Sequence, residues 1–134
     1  MIPEDWKELI KETLKDRLQP AFLIVFGSYA MDSAHDDSDL DLAYYSNQIS
    51  TSYERFLLME ELAEKCNVNV DLVDLKNVDT VFAAQIFTTG EPIYVADKNV
   101  FIKERMKTLS MYARLNEQRA EIIQGIRERG NIFG

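Results

Sequence analysis

Ala21-Phe22-Leu23-Ile24-Val25-Phe26-Gly27-Ser28, ten further residues, and then Asp39-Leu40-Asp41-Leu42-Ala43-Tyr44-Tyr45 form the stretch that decides the reading. The apolar run 21–26 predicts a strand buried on both faces. Gly27-Ser28 ends it, Tyr29 to Ala34 is expected to form a short helical turn, and Asp39 to Tyr45 predicts a second strand. Side chains alternate along a strand, so Asp39 and Asp41 project together while Leu40 and Leu42 point toward a core. Two carboxylates on one face repel unless a cation lies between them. Magnesium, a hard ion that prefers oxygen ligands, suits the pair. A glycine where a strand turns toward a helix lets the backbone approach a ligand closely, and the turn's unpaired amides suit phosphate. The Ser28 hydroxyl adds a donor. Gly27 and Ser28 are thus candidate phosphate binders and Asp39 and Asp41 candidate metal ligands, as a magnesium–triphosphate complex requires.

Outward from this stretch, helix and strand patterns alternate. Trp6, Ile10, Leu14 and Leu18 recur every four residues, which predicts a helix over 4–18 with Pro3 at its start and Gln19-Pro20 at its end. Thr51-x-x-Glu54 has capping-box spacing and opens a second helix with Leu58, Leu62 and Cys66 on one face. Val68 to Leu75 predicts a third strand. A helix near 78–88 carries Val78, Phe82 and Ile86 on one side and ends at Gly90. Pro92 to Ala96 predicts a short edge strand. Residues 98–129 are helical in composition, with a polar interruption at Asn116-Glu117-Gln118-Arg119. This order predicts an α/β (α+β) fold: a mixed sheet with helices on one side and the site at its open edge. Residues 1–134 read as one domain, with 98–134 a helical extension.

In the third strand, Val70, Leu72 and Asp74 share one face and Asp71 shares the other with Val73. Paired beside 39–45, that strand brings Asp71 next to Asp39 and Asp41, and three carboxylates can hold two metal ions.

Bulk properties narrow the classes. The chain has 134 residues, 46% hydrophobic and 28% charged, an ordinary globular balance. Its net charge of −8 offers no basic face for gripping nucleic acid, so no direct nucleic-acid binding is expected, and a basic protein partner fits better. The single cysteine, Cys66, suits a reducing compartment. No apolar run approaches the ~20 residues of a membrane span. A soluble, cytoplasmic protein is expected.

The pattern Gly-Ser, ten residues, Asp-x-Asp, with a third aspartate on a later strand, resembles the DNA polymerase β-like nucleotidyltransferase superfamily. More narrowly, with Val70-Asp71-Leu72-Val73-Asp74-Leu75 and Phe87-Thr88-Thr89-Gly90-Glu91-Pro92-Ile93-Tyr94, the chain resembles the minimal nucleotidyltransferase (MNT) family of prokaryotic antitoxins. The resemblance covers residues 20–97. It implies that Gly27 and Ser28 hold the triphosphate of ATP and that Asp39 and Asp41 ligate two Mg2+ ions. It also implies that Asp71 ligates the catalytic ion and helps deprotonate the acceptor. The family reaction is transfer of AMP to a tyrosine of a HEPN-domain ribonuclease toxin, which makes the chain a protein adenylyltransferase in a hetero-oligomer. Two other readings stay open: neutralisation of the toxin by binding and occlusion alone, and nucleotidyl transfer to an aminoglycoside-type small molecule.

Related proteins often carry a basic residue and glycine where Met31-Asp32 stands; Asp32 tolerates a left-handed backbone, but Met31 brings no charge. Asp74 reads as a cap or surface residue, and Asp36, Asp37 and His35 read as solvated loop residues. Cys66 reads as packing. Lys76 and Arg55 are candidate steering cations for triphosphate. Leu115, Ile122 and Ile126 at helical spacing, followed by Phe133, either pack on the domain's own sheet or dock a partner.

Overall fold

A computed structural model describes residues 2–35 and 37–133, the last five of these by backbone alone. Helix α1, Glu4–Leu18, has Glu4 and Asp5 in its first turn, where acid suits the helix dipole. It ends on Gln19, left-handed at φ 44°, whose N–H donates to the Lys15 carbonyl. Strand β1, Phe22–Phe26, is buried at all five positions. A 3-10 turn over Gly27–Tyr29 follows, and then β2, Leu40–Tyr45. Helix α2, Ser52–Cys66, is capped by the Thr51 hydroxyl, which accepts from the Glu54 N–H as the sequence predicts. Strand β3 is Val70–Asp74, α3 is Thr80–Thr89, β4 is Glu91–Val95 and α4 is Lys98–Phe133.

The strands form one mixed sheet in the order β3-β2-β1-β4, with β2–β3 parallel and the other two pairs antiparallel. Pro92 lies on the edge strand β4, where its missing N–H costs no ladder bond.

Three expectations need correction. Helices cover both faces of the sheet, not one: α1 and α2 pack on Leu23, Val25, Leu40 and Leu42, while α3 and the start of α4 pack on Phe22, Ile24 and Ala43. The cause is β1, apolar on both faces, so that each must be removed from water. The polar run 116–119 does not interrupt α4, which continues through it; Glu117, Gln118 and Arg119 are good helix formers, and an exposed helix continues through them without burying anything. The turn after β1 is a 3-10 turn at 27–29 in place of a helical turn at 29–34. Asp36 and the Phe133 side chain lie outside the described residues.

Gly90 ends α3, though without a left-handed backbone. A Cβ there would lie 2.5 Å from Ile24 Cγ2 and 2.4 Å from the Ile86 carbonyl oxygen, so close packing excludes any larger residue.

Candidate active site

The register of β2 fixes the site. Asp41 sits opposite Phe26 on β1 and opposite Asp71 on β3, so the two carboxylates share one face of adjacent strands. That face is the one α3 covers further along, at Ala43 and Val73. Leu40, Leu42 and Leu72 point the other way into the α1–α2 core, as alternation requires. Asp39 is the residue before β2 and is exposed.

Gly27 completes the geometry. It is the one described glycine with positive φ, 72°, and a Cβ built on it would fall 2.3 Å from Asp41 Oδ2. Both the backbone conformation and the space therefore demand glycine, and the close approach inferred from sequence is an approach to Asp41. Ser28 follows in the turn, half-buried, with its carbonyl accepting from the Ser33 N–H at 3.0 Å. The Ala30 and Met31 amides close the turn onto the Gly27 carbonyl at 3.2 Å each. The Ser28 and Tyr29 amides are its first donors, which a turn of this kind leaves without internal partners. Asp32 is left-handed, φ 55°, so the turn survives without glycine there.

Burial pushes the Asp41 carboxyl above its ordinary pKa, and the charges of Asp71 and then Asp39 push it the same way. Asp41 thus feels the charge of both neighbouring acids. Among the described residues, none of the three carboxylates has a hydrogen bond or ion pair, and no three acidic, histidine or cysteine side chains converge into a ready-made metal cluster. The donor chemistry nonetheless fits a hard cation: oxygen ligands only, with like charges whose repulsion a cation relieves.

Other titratable residues fall elsewhere. Asp74 accepts from the Lys76 N–H and from Asn77 Nδ2, both at 3.0 Å, and is a turn cap as its parity predicts. His35 is exposed in the loop, and its N–H donates to Ser38 Oγ at 2.9 Å. Cys66 is buried in the α1–α2 core and its thiol is pushed up by that burial. The candidate steering cations are both committed: Lys76 lies 5.3 Å over the Tyr45 ring, and Arg55 Nη1 donates to the Ser50 carbonyl at 2.9 Å. Sequence reading missed Phe26, whose buried ring beside Asp41 meets Phe82 edge-on and dries that side of the carboxylate; its place at the end of the apolar run was the available signal. A hollow of about 360 Å³ at Asp39, lined also by Ser38, Asn67 and Asn69, reaches neither Asp41 nor Asp71. Another of about 280 Å³ at Tyr45, Lys76 and Glu104 lies at the far end of β2 and holds none of them. No described helix is long and apolar enough to cross a membrane.

Residues 8–99 match the family model described as polymerase beta, nucleotidyltransferase. Over 120 residues the chain is 33% identical to protein adenylyltransferase MntA of Shewanella oneidensis, covering 87% of this chain and 84% of that one. A solved toxin–antitoxin structure with AMP-PNP superposes with a TM-score of 0.79 at 30% identity, over 90% of this chain and 97% of the other. A tri-AMPylated Shewanella oneidensis HEPN toxin in complex with its MNT antitoxin gives a TM-score of 0.75 at 27% identity, over 92% and 97% of the respective chains.

Proposed function

This chain belongs to the polymerase β nucleotidyltransferase family, and on that premise we propose that it transfers AMP from ATP to a tyrosine of a cognate HEPN ribonuclease toxin and so neutralises it. The observation that carries the reading is Asp41, held against the Gly27 backbone and in register with Asp71, with all three carboxylates free of hydrogen bonds among the described residues. The likeness to a protein adenylyltransferase and to toxin–antitoxin complexes supports the nucleotide and the partner, and it favours a protein acceptor over a small molecule.

Asp39, Asp41 and Asp71 would hold magnesium, two ions in this reading, which supplies neutralising charge to the triphosphate and to the departing pyrophosphate. Gly27 and Ser28 present backbone amides and a hydroxyl to the phosphates. A free tyrosine hydroxyl has a pKa of about 10 and is a poor nucleophile at neutral pH. Asp71 takes its proton; the phenolic oxygen then bonds to the α-phosphorus as the bond to the β-phosphate's bridging oxygen breaks. Pyrophosphate leaves and AMP stays on the tyrosine. The reaction belongs in the cytoplasm, where ATP is present and Cys66 stays reduced, and the protein works in a hetero-oligomer with its toxin.

Intact mass spectrometry of the cognate toxin, incubated with this protein, ATP and magnesium, tests the proposal. Gain of one or more AMP units is expected, and stable complex formation without any mass gain would refute transfer. A second reading, neutralisation by occlusion alone, draws on Met31, which is exposed and uncharged where relatives often place a cation. It predicts that an Asp39→Ala/Asp41→Ala variant still protects cells.

A further inference from the structure

Charge is unevenly divided along this chain. Residues 98–134 contain eight of its fifteen basic residues but four of its twenty-three acidic ones. Helix α4 is 36 residues long, about 54 Å at helical rise, far more than its packing on α3 requires. Phe101, Glu104, Thr108, Tyr112 and Leu115 form its half-buried stripe, and the same stripe runs on through Arg119, Ile122 and Ile126. There the covering ends: Ile122 and Ile126 are 60% and 57% exposed. Arg119 lies within this stretch and Arg127 follows it, while Glu117 and Glu121 fall on the opposite side of the helix. The tail thus presents an apolar and cationic face.

A complementary face exists on the same molecule. The outer side of α2 exposes Tyr53 (68%), Phe56 (50%) and Leu57, in line with Glu60 and Glu64. Neither of these glutamates, nor Arg119 or Arg127, has an ion-pair partner among the described residues. One chain cannot join the two faces, because α2 covers the Leu23 side of the sheet and α4 packs with α3 on the Phe22 side. Two chains can. We propose that the protein forms a reciprocal two-fold dimer in which the α4 tail of each copy lies along the outer face of the other copy's α2. Ile122 and Ile126 then pack against Phe56 and Leu57, with Arg119 and Arg127 beside Glu60 and Glu64. A two-fold arrangement forms this contact twice and leaves neither face exposed.

Sedimentation equilibrium on the full chain without toxin tests it against the 15.5 kDa monomer mass. A monomer–dimer equilibrium that weakens with salt is expected. Phe56→Asp and Ile122→Asp should each weaken it by about thirtyfold or more, the scale of a buried interface residue, with unchanged far-UV circular dichroism. Glu60→Arg/Glu64→Arg should weaken it too, and adding Arg119→Glu/Arg127→Glu in the same chain should restore it. A monomer at every concentration overturns the proposal. So does a dimer sensitive to the tail substitutions alone, which would mean tail-on-tail pairing. A monomer whose toxin affinity falls with the same substitutions assigns these faces to the toxin and overturns it equally.

Discussion

The two ends of the β2–β3 pair use aspartate in opposite ways. At the opening end, the carboxylates of Asp39, Asp41 and Asp71 have no hydrogen-bond or ion-pair partner among the described residues, and Asp41 is held half-buried beside two like charges. At the closing end Asp74 caps a turn, and five residues on Asp79 caps α3 by accepting from the Phe82 N–H at 2.8 Å. The second group stabilises the fold by satisfying backbone donors. The first does nothing for the fold and carries unfavourable repulsion. Carboxylates kept where they cost stability are the pattern expected of a ligand site, and they motivate the proposed role of these three acids.

Several substitutions would sharpen or break that contrast. Asp39→Ala/Asp41→Ala should lower AMP transfer to the toxin by about a thousandfold or more, read as single-turnover rate, because preorganised charge is the largest catalytic term. Retained transfer would remove these acids from the chemistry. Gly27→Ala forces a side chain into a left-handed backbone and onto Asp41, so chemical denaturation should show a loss of about 2–4 kcal/mol. Transfer should fall as well, since Asp41 must move. A milder outcome would show that the turn has slack. Asp79→Ala should cost about 1 kcal/mol of stability and leave transfer unchanged, the mark of a purely structural acid. Cys66 should react slowly in the native protein: its raised pKa leaves little thiolate at pH 8, so a thiol reagent should modify it quickly only after unfolding. Fast labelling of the native protein would mean that the α1–α2 core opens.

Much of this was legible in the sequence because it rests on short-range rules. Alternation put Asp41 on the face opposite Leu40 and Leu42, and parity on 70–75 separated Asp71 from Asp74, since a strand has only two faces; Asp39 lies just before β2, outside that alternation. The Thr51 cap and the edge placement of Pro92 followed from single-residue chemistry. What sequence reading missed depends on long-range pairing. The layer count depended on where α3 and α4 settle, which periodicity does not specify. The Gly27–Asp41 contact joins residues fourteen apart through the β1–β2 register, so the glycine was legible but its neighbour was not. The polar residues 116–119 suggest a break in α4, although helix propensity tolerates them on an exposed face.

The most direct measurement is thermal unfolding of the ligand-free Asp41→Asn protein, paired with its transfer rate and set beside Asp74→Asn. In the fold the Asp41 carboxyl has a raised pKa, so its charged form is disfavoured and a neutral replacement should relieve strain. Asp41→Asn should melt higher than the native protein while losing transfer, and Asp74→Asn should melt lower while keeping it. An Asp41→Asn protein that melts lower and still transfers AMP would contradict the claim that this end of the sheet gives up stability to hold its substrate.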